Sequence, residues 1–419
     1  MEPYFNKKLL ERFLTYVKID TQSDPKSETS PSTKKQFNLA RVLAKDLKAI
    51  GLSRVSVSKH CHVTATLESN LKNGSEVPTI GYIAHMDTAP SVSGEGVKPK
   101  IHKDYKGGDI KLKGITIKAE ENPELKNYIG QDIITSDGTT LLGADDKAGI
   151  AEIMTAMEYI QSTGVQHGRI RVRFTPDEEV GRGVEHFNVK GFGAMYAYTV
   201  DGSGVGEIED ENFNSAKATW TIHGKNVHPG YAYGKLVNAQ KIAARLISMF
   251  PHEESPEMID EVKEEGKGYF HVRKSTGDVE LTTVESIMKD FDSENFERRK
   301  RTMWNWQNEL CRLYSRASIE LVIKDGYRNM KEVLVKHPEI TEIAIEAMKK
   351  IGITPLHKKI RGGTDGARLS FMGLPTPNLS AGGLNFHSRA EYISVTSMEY
   401  ATLTLIQIPQ IYVGRYQKG

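Results

Sequence analysis

The chain has 419 residues, with 56 Lys and Arg against 54 Asp and Glu, so its formal net charge is only +2. This length predicts two or three domains with an ample core. The balanced charge, without a long run of one sign, argues against nucleic-acid and membrane partners and favours small substrates. No run approaches the roughly 18 consecutive apolar residues of a membrane span, and no signal-peptide pattern occurs.

The two cysteines, Cys61 and Cys311, are too few for a disulfide framework and show no CxxC spacing. We therefore expect a reducing compartment, the cytoplasm, with both thiols buried.

Strand-like and helical runs alternate from residue 10 to residue 210. The predicted elements are a helix through Leu10 and Val17, strands at 79–85, 170–174 and 194–200, and a helix over 146–160. Such alternation predicts an α/β domain in which helices cover a mixed sheet.

A different order follows from about residue 215 to 324. Strand, helix, two strands, helix and strand succeed one another, which is typical of a β-α-β-β-α-β ferredoxin-like unit. The basic run Arg298–Arg301 in its second helix is interpreted as a solvated face. The alternating pattern then resumes with a helix over 338–350, ended by Gly352. We therefore predict an α+β domain at 211–324 inserted into a discontinuous domain of 1–210 and 325–419.

Five residues of the types that bind metal ions occur in short strings at predicted strand ends or in the turns after them. They are His85 in IAHMD, Asp145 in GADDKAG, Glu179 in PDEEVG, Asp201 in TVDG and His387 in NFHSRAE. Open α/β sheets place their ligands at such strand ends.

Each of these residues also has an ordinary structural explanation. Asp is common at helix N-caps and in turns before Gly, and PDEE could be a solvated acidic loop. Taken together, the five fit two divalent ions that share one carboxylate and leave room for water. In PDEE, one Glu would then ligate metal while its neighbour serves as general base.

Longer strings carry a resemblance to a known family. TLLGADDKAGIAEIM, TPDEEVGRG, VDGSGVGEIEDENFNSAKA, NVHPGYAYGKLVNA and RGGTDGARLSFMGLPTPNLSAGG resemble the zinc-dependent exopeptidases and deacylases that include carboxypeptidase G, succinyl-diaminopimelate desuccinylase and the aminoacylases. Within that family they are most similar to the tripeptide aminopeptidases, and the resemblance covers nearly the whole chain.

The resemblance implies a ligand set for two Zn²⁺ ions per subunit. Asp145 would bridge the ions, His85 and Asp201 would complete one site, and Glu179 and His387 would complete the other.

The resemblance also implies roles for four further residues. Glu178 would be the general base that activates a water shared by the metals, and Asp87 would orient His85. His228 would reach the active site of the partner subunit and stabilise the oxyanion, although by itself it reads as a turn histidine before Pro229. Arg361 would bind the substrate carboxylate, because a guanidinium suits bidentate contact with that group.

The resemblance thus implies a cytoplasmic, homodimeric two-zinc aminopeptidase that releases the N-terminal residue of tripeptides, with residues 211–324 as a lid and dimerisation domain. A dipeptidase or N-acyl-amino-acid deacylase of the same family is the alternative enzyme, since the metal ligands do not specify the groups that flank the bond. A non-catalytic binding or structural protein on the same scaffold, which uses the inserted domain only to dimerise, is the alternative from another class. The sequence does not identify the acid that would receive the substrate's α-amino group.

Overall fold

The computed structural model describes residues 2–72, 76–260, 263–264 and 266–417. The chain forms two compact units. The first comprises Met1–Asp210, Met330–Lys358 and Thr364–Gly419, and the second comprises Glu211–Asn329 and Lys359–Gly363. The second unit therefore includes residues 325–329 and 359–363, which the sequence analysis assigns to the other domain.

The helices and strands of the described residues are as follows. The α-helices are α1 Pro3–Tyr16, α2 Gln36–Ile50, α3 Ala144–Thr163, α4 Val189–Phe192, α5 Ala239–Ile247, α6 Ser293–Leu313, α7 Lys331–Leu334, α8 Pro338–Lys350, α9 Asp365–Phe371 and α10 Val395–Tyr416. The strands are β1 Ser53–Val57, β2 Val63–Leu67, β3 Ile80–His85, β4 Lys100–His102, β5 Ile110–Lys111, β6 Thr116–Ile117, β7 Ile133–Thr135, β8 Ile170–Thr175, β9 Tyr196–Gly202, β10 Glu207–Asn212, β11 Asn214–His223, β12 Tyr269–Gly277, β13 Leu281–Asp290, β14 Ser318–Tyr327, β15 Leu356–Ile360, β16 Asn378–Ser380, β17 Gly383–Leu384 and β18 Tyr392–Ser394.

The main sheet has the strand order β1-β2-β8-β3-β9-β16-β10-β15. Its centre, β8-β3-β9-β16, is parallel, whereas β2 pairs antiparallel with β8 and β10 pairs antiparallel with β16. Every residue of β3 is buried, which explains why the sequence of this central strand is a nearly continuous apolar run. The predicted mixed-sheet α/β fold is thus confirmed.

Helix α3 packs against β3 and β9 of this sheet. The approach is close at Gly149, where an added Cβ would lie 2.0 Å from the carbonyl oxygen of Val200. Only glycine fits there, so the GADDKAG string has to end in a residue without a side chain. This packing holds the start of α3 beside the carboxyl ends of the central strands.

The second unit contains an antiparallel sheet of order β12-β13-β11-β14, on which α5 and α6 pack. Its elements follow one another as β-α-β-β-α-β, the order expected from the sequence. Helix α5 begins at Ala239 because the side chain of Asn238 accepts a hydrogen bond from the Lys241 N–H and caps the helix.

Two expectations about single side chains in this unit are wrong. Arg299, within the run expected to be solvated, is buried, and its Nε lies 2.8 Å from Asp290 Oδ2. Cys311 is exposed, whereas Cys61 in the first unit is buried as expected. Among the helices of the described residues, none has the length and apolar character needed to cross a membrane.

Candidate active site

The carboxyl ends of the central strands bring the first group of candidate ligands together. His85 is the last residue of β3, and Asp201 lies at the end of β9. The imidazole Nε2 of His85 lies 2.8 Å from Asp145 Oδ1 and 3.5 Å from Asp201 Oδ1. Asp145 reaches this point because it and Asp146 have non-helical backbone angles at the start of α3.

The second group converges on the other side of Asp145. The half-exposed His387, in the loop between β17 and β18, places its Nε2 3.0 Å from Asp145 Oδ2 and 2.8 Å from Glu179 Oε2. The two oxygens of Asp145 therefore face different histidines, each of which also meets a second carboxylate. All five predicted ligands lie in one cluster of the first unit.

Two sets of three potential ligand atoms have the spacing of a metal site. One oxygen or nitrogen from each of His85, Asp145 and Glu179 lies within 4.8 Å of the others, and the same holds for His85, Glu178 and Asp201. Imidazole nitrogens and carboxylate oxygens are suitable ligands for zinc and similar divalent ions.

The electrostatics of the cluster fit a bound cation. Burial raises the pKa of Glu179 to about 8, helped by the charge of Asp145, and burial raises the pKa of Asp201 to about 6. Glu179 Oε1 is buried and has no hydrogen-bond partner in the described structure. A buried acceptor without a partner is costly, and a metal ion would both satisfy it and favour the ionised carboxylates.

Asp87 connects His85 to the glutamate turn, the short 3-10 turn Glu178–Val180. Its carboxylate accepts hydrogen bonds from the backbone N–H groups of Glu178 and Glu179, at 2.9 and 3.2 Å. His85 Nδ1 lies 3.1 Å from the backbone carbonyl oxygen of Asp87 and 3.3 Å from its Oδ1. Asp87 thus holds the ring nitrogen that faces away from Asp145, as a partner of a metal-binding imidazole does.

Glu178 opens a short 3-10 turn, Glu178–Val180, beyond the end of β8. Burial raises its pKa well above the ordinary value, and the neighbouring carboxylate of Asp365 raises it further. Asp365 itself accepts a hydrogen bond of 2.9 Å from Thr175 Oγ1. A carboxyl group with a raised pKa next to candidate ligands suits proton transfer.

Two buried acids to which the sequence assigns no role also support the cluster. Glu391 accepts hydrogen bonds from the backbone N–H groups of Leu142, Gly143 and Asp145. Asp146 accepts the backbone N–H of His85 at 3.1 Å. Their partners are backbone groups, so no side-chain pattern reveals them; the spacing of Glu391 four residues after His387 is the one available hint.

The glutamate turn is also held from the N-terminal region. Asp177 has a left-handed backbone (φ 57°) and accepts hydrogen bonds from the Ser32 N–H at 2.7 Å and from Gln36 Nε2 at 2.7 Å. Gln36 is fully buried at the start of α2. The general base candidate therefore sits in a turn fixed on both sides, by Asp87 and by Asp177.

The remaining two predicted residues belong to the second unit. His228 is exposed and precedes the turn Pro229–Tyr231, and its Nδ1 accepts a hydrogen bond of 3.1 Å from the Gly230 N–H. The guanidinium of Arg361 lies over the Phe213 ring, 5.0 Å from its centre. Within this unit His228 therefore occupies an exposed turn, and Arg361 packs on an aromatic ring.

Comparisons with known proteins place the chain in a family. Residues 138–410 match peptidase family M20/M25/M40, and the chain belongs to that family. It is 51% identical over 412 residues to peptidase T of Clostridium perfringens, covering 98% of this chain and 100% of that protein. The fold is similar to a crystal structure of the aminopeptidase PepT from Bacillus cereus, with a TM-score of 0.77, 25% identity and coverage of 97% and 99%. It is also similar to a dinuclear metal-binding peptidase of family M20 from Bacillus subtilis, with a TM-score of 0.66, 13% identity and coverage of 98% and 99%.

Proposed function

We propose that this protein is a two-zinc aminopeptidase that releases the N-terminal residue of tripeptides. The observation that carries the proposal is the position of Asp145, whose oxygens face His85 and His387 separately at 2.8 and 3.0 Å. The similarity over the full chain to peptidase T and to the structure of an aminopeptidase supports the choice of substrate.

In this proposal two Zn²⁺ ions would be held by five residues: Asp145 would be shared between them, His85 and Asp201 would complete one site, and Glu179 and His387 would complete the other. Zinc favours such mixed nitrogen and oxygen ligand sets, and three protein ligands per ion leave a position for water or substrate. Bound zinc supplies Lewis acidity and lowers the pKa of water.

The chain's own residues provide the proton transfers. Glu178 accepts the proton of the attacking water and passes it to the nitrogen of the leaving peptide, for which its raised pKa is suitable. Asp87 keeps Glu178 in place through the backbone of the glutamate turn.

Two residues of the second unit contact the substrate in the proposal. His228, from the partner subunit of a homodimer, donates a hydrogen bond to the oxyanion of the tetrahedral intermediate. Arg361 binds the C-terminal carboxylate of the tripeptide, and its packing on Phe213 would limit the orientations of its guanidinium.

Glu178→Gln tests the mechanism. The amide keeps the shape of the side chain but cannot accept the proton, so we expect kcat for trialanine to fall about 10²- to 10⁴-fold with the zinc content unchanged. Glu185→Gln, an exposed glutamate seven positions further on, is the control. Near-normal turnover by a metal-loaded Glu178→Gln enzyme would contradict the assignment.

A substrate panel tests the specificity. Trialanine, dialanine, tetra-alanine and N-acetylated trialanine are compared with the wild-type enzyme. A requirement for the free amine supports the aminopeptidase, whereas equal turnover of acetylated peptides supports the deacylase.

We also propose a cytoplasmic location, supported by the two free cysteines, which suit a reducing compartment.

A further inference from the structure

An aminopeptidase needs an anionic partner for the positively charged N-terminus of its substrate, and the following inference rests on the proposed function. The α-ammonium group is one carbon away from the scissile carbonyl, so its partner must lie beside the metal ligands. Most buried acids of the cluster are already engaged. Glu391 and Asp146 accept backbone N–H groups, and Asp365 accepts the Thr175 hydroxyl.

The strand pairing of the main sheet is irregular next to the candidate ligand Asp201. Strands β9 and β16 pair in parallel with Asn378 opposite Thr199, but the register shifts between Leu379 and Ser380. At this point the Asp201 N–H donates to the side chain of Asn378, at 3.2 Å from Oδ1, so the amide replaces a backbone acceptor. Because Asn378 is buried, this bond fixes which way its amide points.

The nitrogen of the same Asn378 amide orients a glutamate. Asn378 Nδ2 donates to Glu209 Oε2 at 2.6 Å, and the two residues lie opposite each other on β16 and β10. A single side chain therefore links Glu209 to the backbone of Asp201. One oxygen of Glu209 is held, and in the described part of the chain no hydrogen bond to its Oε1 occurs.

The charge of Lys358 acts on Glu209, but Lys358 is not paired with it. Within the described residues Glu209 forms no ion pair, whereas Glu207, two positions earlier on β10, lies 3.1 Å from Lys358 Nζ. Burial raises the pKa of Glu209 to about 8, and the charges of Glu207 and Asp201 add to the effect although Asn378 donates to it. An ionised Glu209 would be stabilised by a positive group brought by a ligand.

We propose that Glu209 binds the α-ammonium group of the peptide substrate through its Oε1, while Asn378 holds its other oxygen beside Asp201. The resulting charge-assisted hydrogen bond makes the enzyme select a free N-terminus. Glu209 is then a substrate-binding residue that determines specificity.

Glu209→Gln separates this role from a structural one. A glutamine keeps the acceptor oxygen for Asn378 Nδ2 but loses the negative charge. If Glu209 served only to anchor Asn378, the substitution would therefore have little effect on substrate choice.

The experiment compares trialanine with propionyl-dialanine, the same peptide with hydrogen in place of the amine. We expect Glu209→Gln to lower the preference for trialanine, as a ratio of kcat/KM values, about 10- to 100-fold. The value of kcat/KM should fall for trialanine alone, mainly because its KM rises. Glu185→Gln, at an exposed position outside this group of charges, is the control and should keep the wild-type preference.

Equal losses on both peptides, or an unchanged preference, would overturn the role of Glu209. A wild-type enzyme that does not distinguish the two peptides would instead contradict the aminopeptidase proposal itself.

Circular dichroism and zinc content verify that each variant is folded. If Glu209→Gln does not fold, Glu209→Ala and Glu209→Asp are compared: retention of preference by Asp alone supports the role, and equal preference in both contradicts it.

Discussion

At the scale of single residues, the cluster of candidate metal ligands depends on further carboxylates that accept hydrogen bonds from the backbone. Glu391 is the clearest case, because it is buried and accepts three N–H groups from the segment Leu142–Asp145. It also follows His387 in the chain by four positions. One side chain thereby couples the loop that carries His387 to the start of α3, which carries Asp145.

We therefore expect Glu391→Gln to weaken zinc binding. The amide has one acceptor oxygen in place of two and turns an NH₂ group toward backbone donors, so the segment that carries Asp145 would shift. Groups that orient metal ligands typically contribute 10- to 100-fold in affinity, and we expect a loss of about that size.

Isothermal titration calorimetry, in which zinc is added to the metal-free protein, measures the change in zinc affinity. Glu95→Gln, at an exposed loop position, is the control. An unchanged zinc affinity in a folded Glu391→Gln protein would show that the loop keeps Asp145 in place without the carboxylate.

How far the site can be predicted from sequence also depends on what each residue contacts. His85 and Asp201 could be predicted because strand ends are visible as apolar runs that stop at a polar residue. Glu209 could not, because its partner Asn378 lies 169 positions away. Only the sheet register brings the two together, and a single sequence does not reveal register between distant strands.

At the scale of elements, the glutamate turn Glu178–Val180 is held by two other parts of the fold. Asp87, after β3, binds its backbone N–H groups, and Gln36, at the start of α2, binds the preceding Asp177. Helix α2 thus contributes to the active site although it carries none of the candidate ligands.

Gln36→Ala tests this contribution. Loss of the amide removes two hydrogen bonds with Asp177, one donated to its carboxylate and one accepted from its backbone N–H, so the turn should become less ordered. Since small displacements of a catalytic group lower the rate strongly, we expect kcat to fall about 10-fold with KM and zinc content nearly unchanged. Gln161→Ala, at the exposed end of α3, should have no effect.

A fall in zinc content that accounts for the lost activity would instead show that Gln36 maintains the ligand Glu179 rather than the base. Measuring kcat at saturating zinc separates the two explanations.

The same scale explains which elements the sequence predicted well. Helix α8 has the predicted bounds, 338–350, because Pro338 starts it and Gly352, with φ 80°, follows its end. The exposed Cys311 and the buried Arg299 both lie on α6. The prediction for Arg299 is wrong because its partners, Asp290 and Glu254, come from other segments.

At the scale of the whole molecule, the proposal makes one active site depend on two subunits. His228 lies in an exposed turn with Tyr231 and Tyr233, whose exposed fractions are 74% and 100%. Such exposed aromatic residues are common at protein interfaces. If this turn serves the partner subunit, neither chain of the homodimer carries a complete catalytic set.

Mixing two inactive variants tests this arrangement. In a heterodimer of Glu178→Gln and His228→Ala chains, one site has both substitutions and the other has neither, because each site takes Glu178 from one chain and His228 from its partner. Random exchange of equal amounts makes about half of the dimers heterodimers, so about one quarter of the wild-type activity should return.

If His228 instead acts within its own chain, every site in the mixture retains one substitution and no activity returns. Sedimentation of the mixed sample verifies that dimers have formed, and mass spectrometry under native conditions verifies that the subunits have exchanged. Recovery that increases with exchange time, and that fails when either variant is incubated alone, would establish that the active site is shared between the subunits.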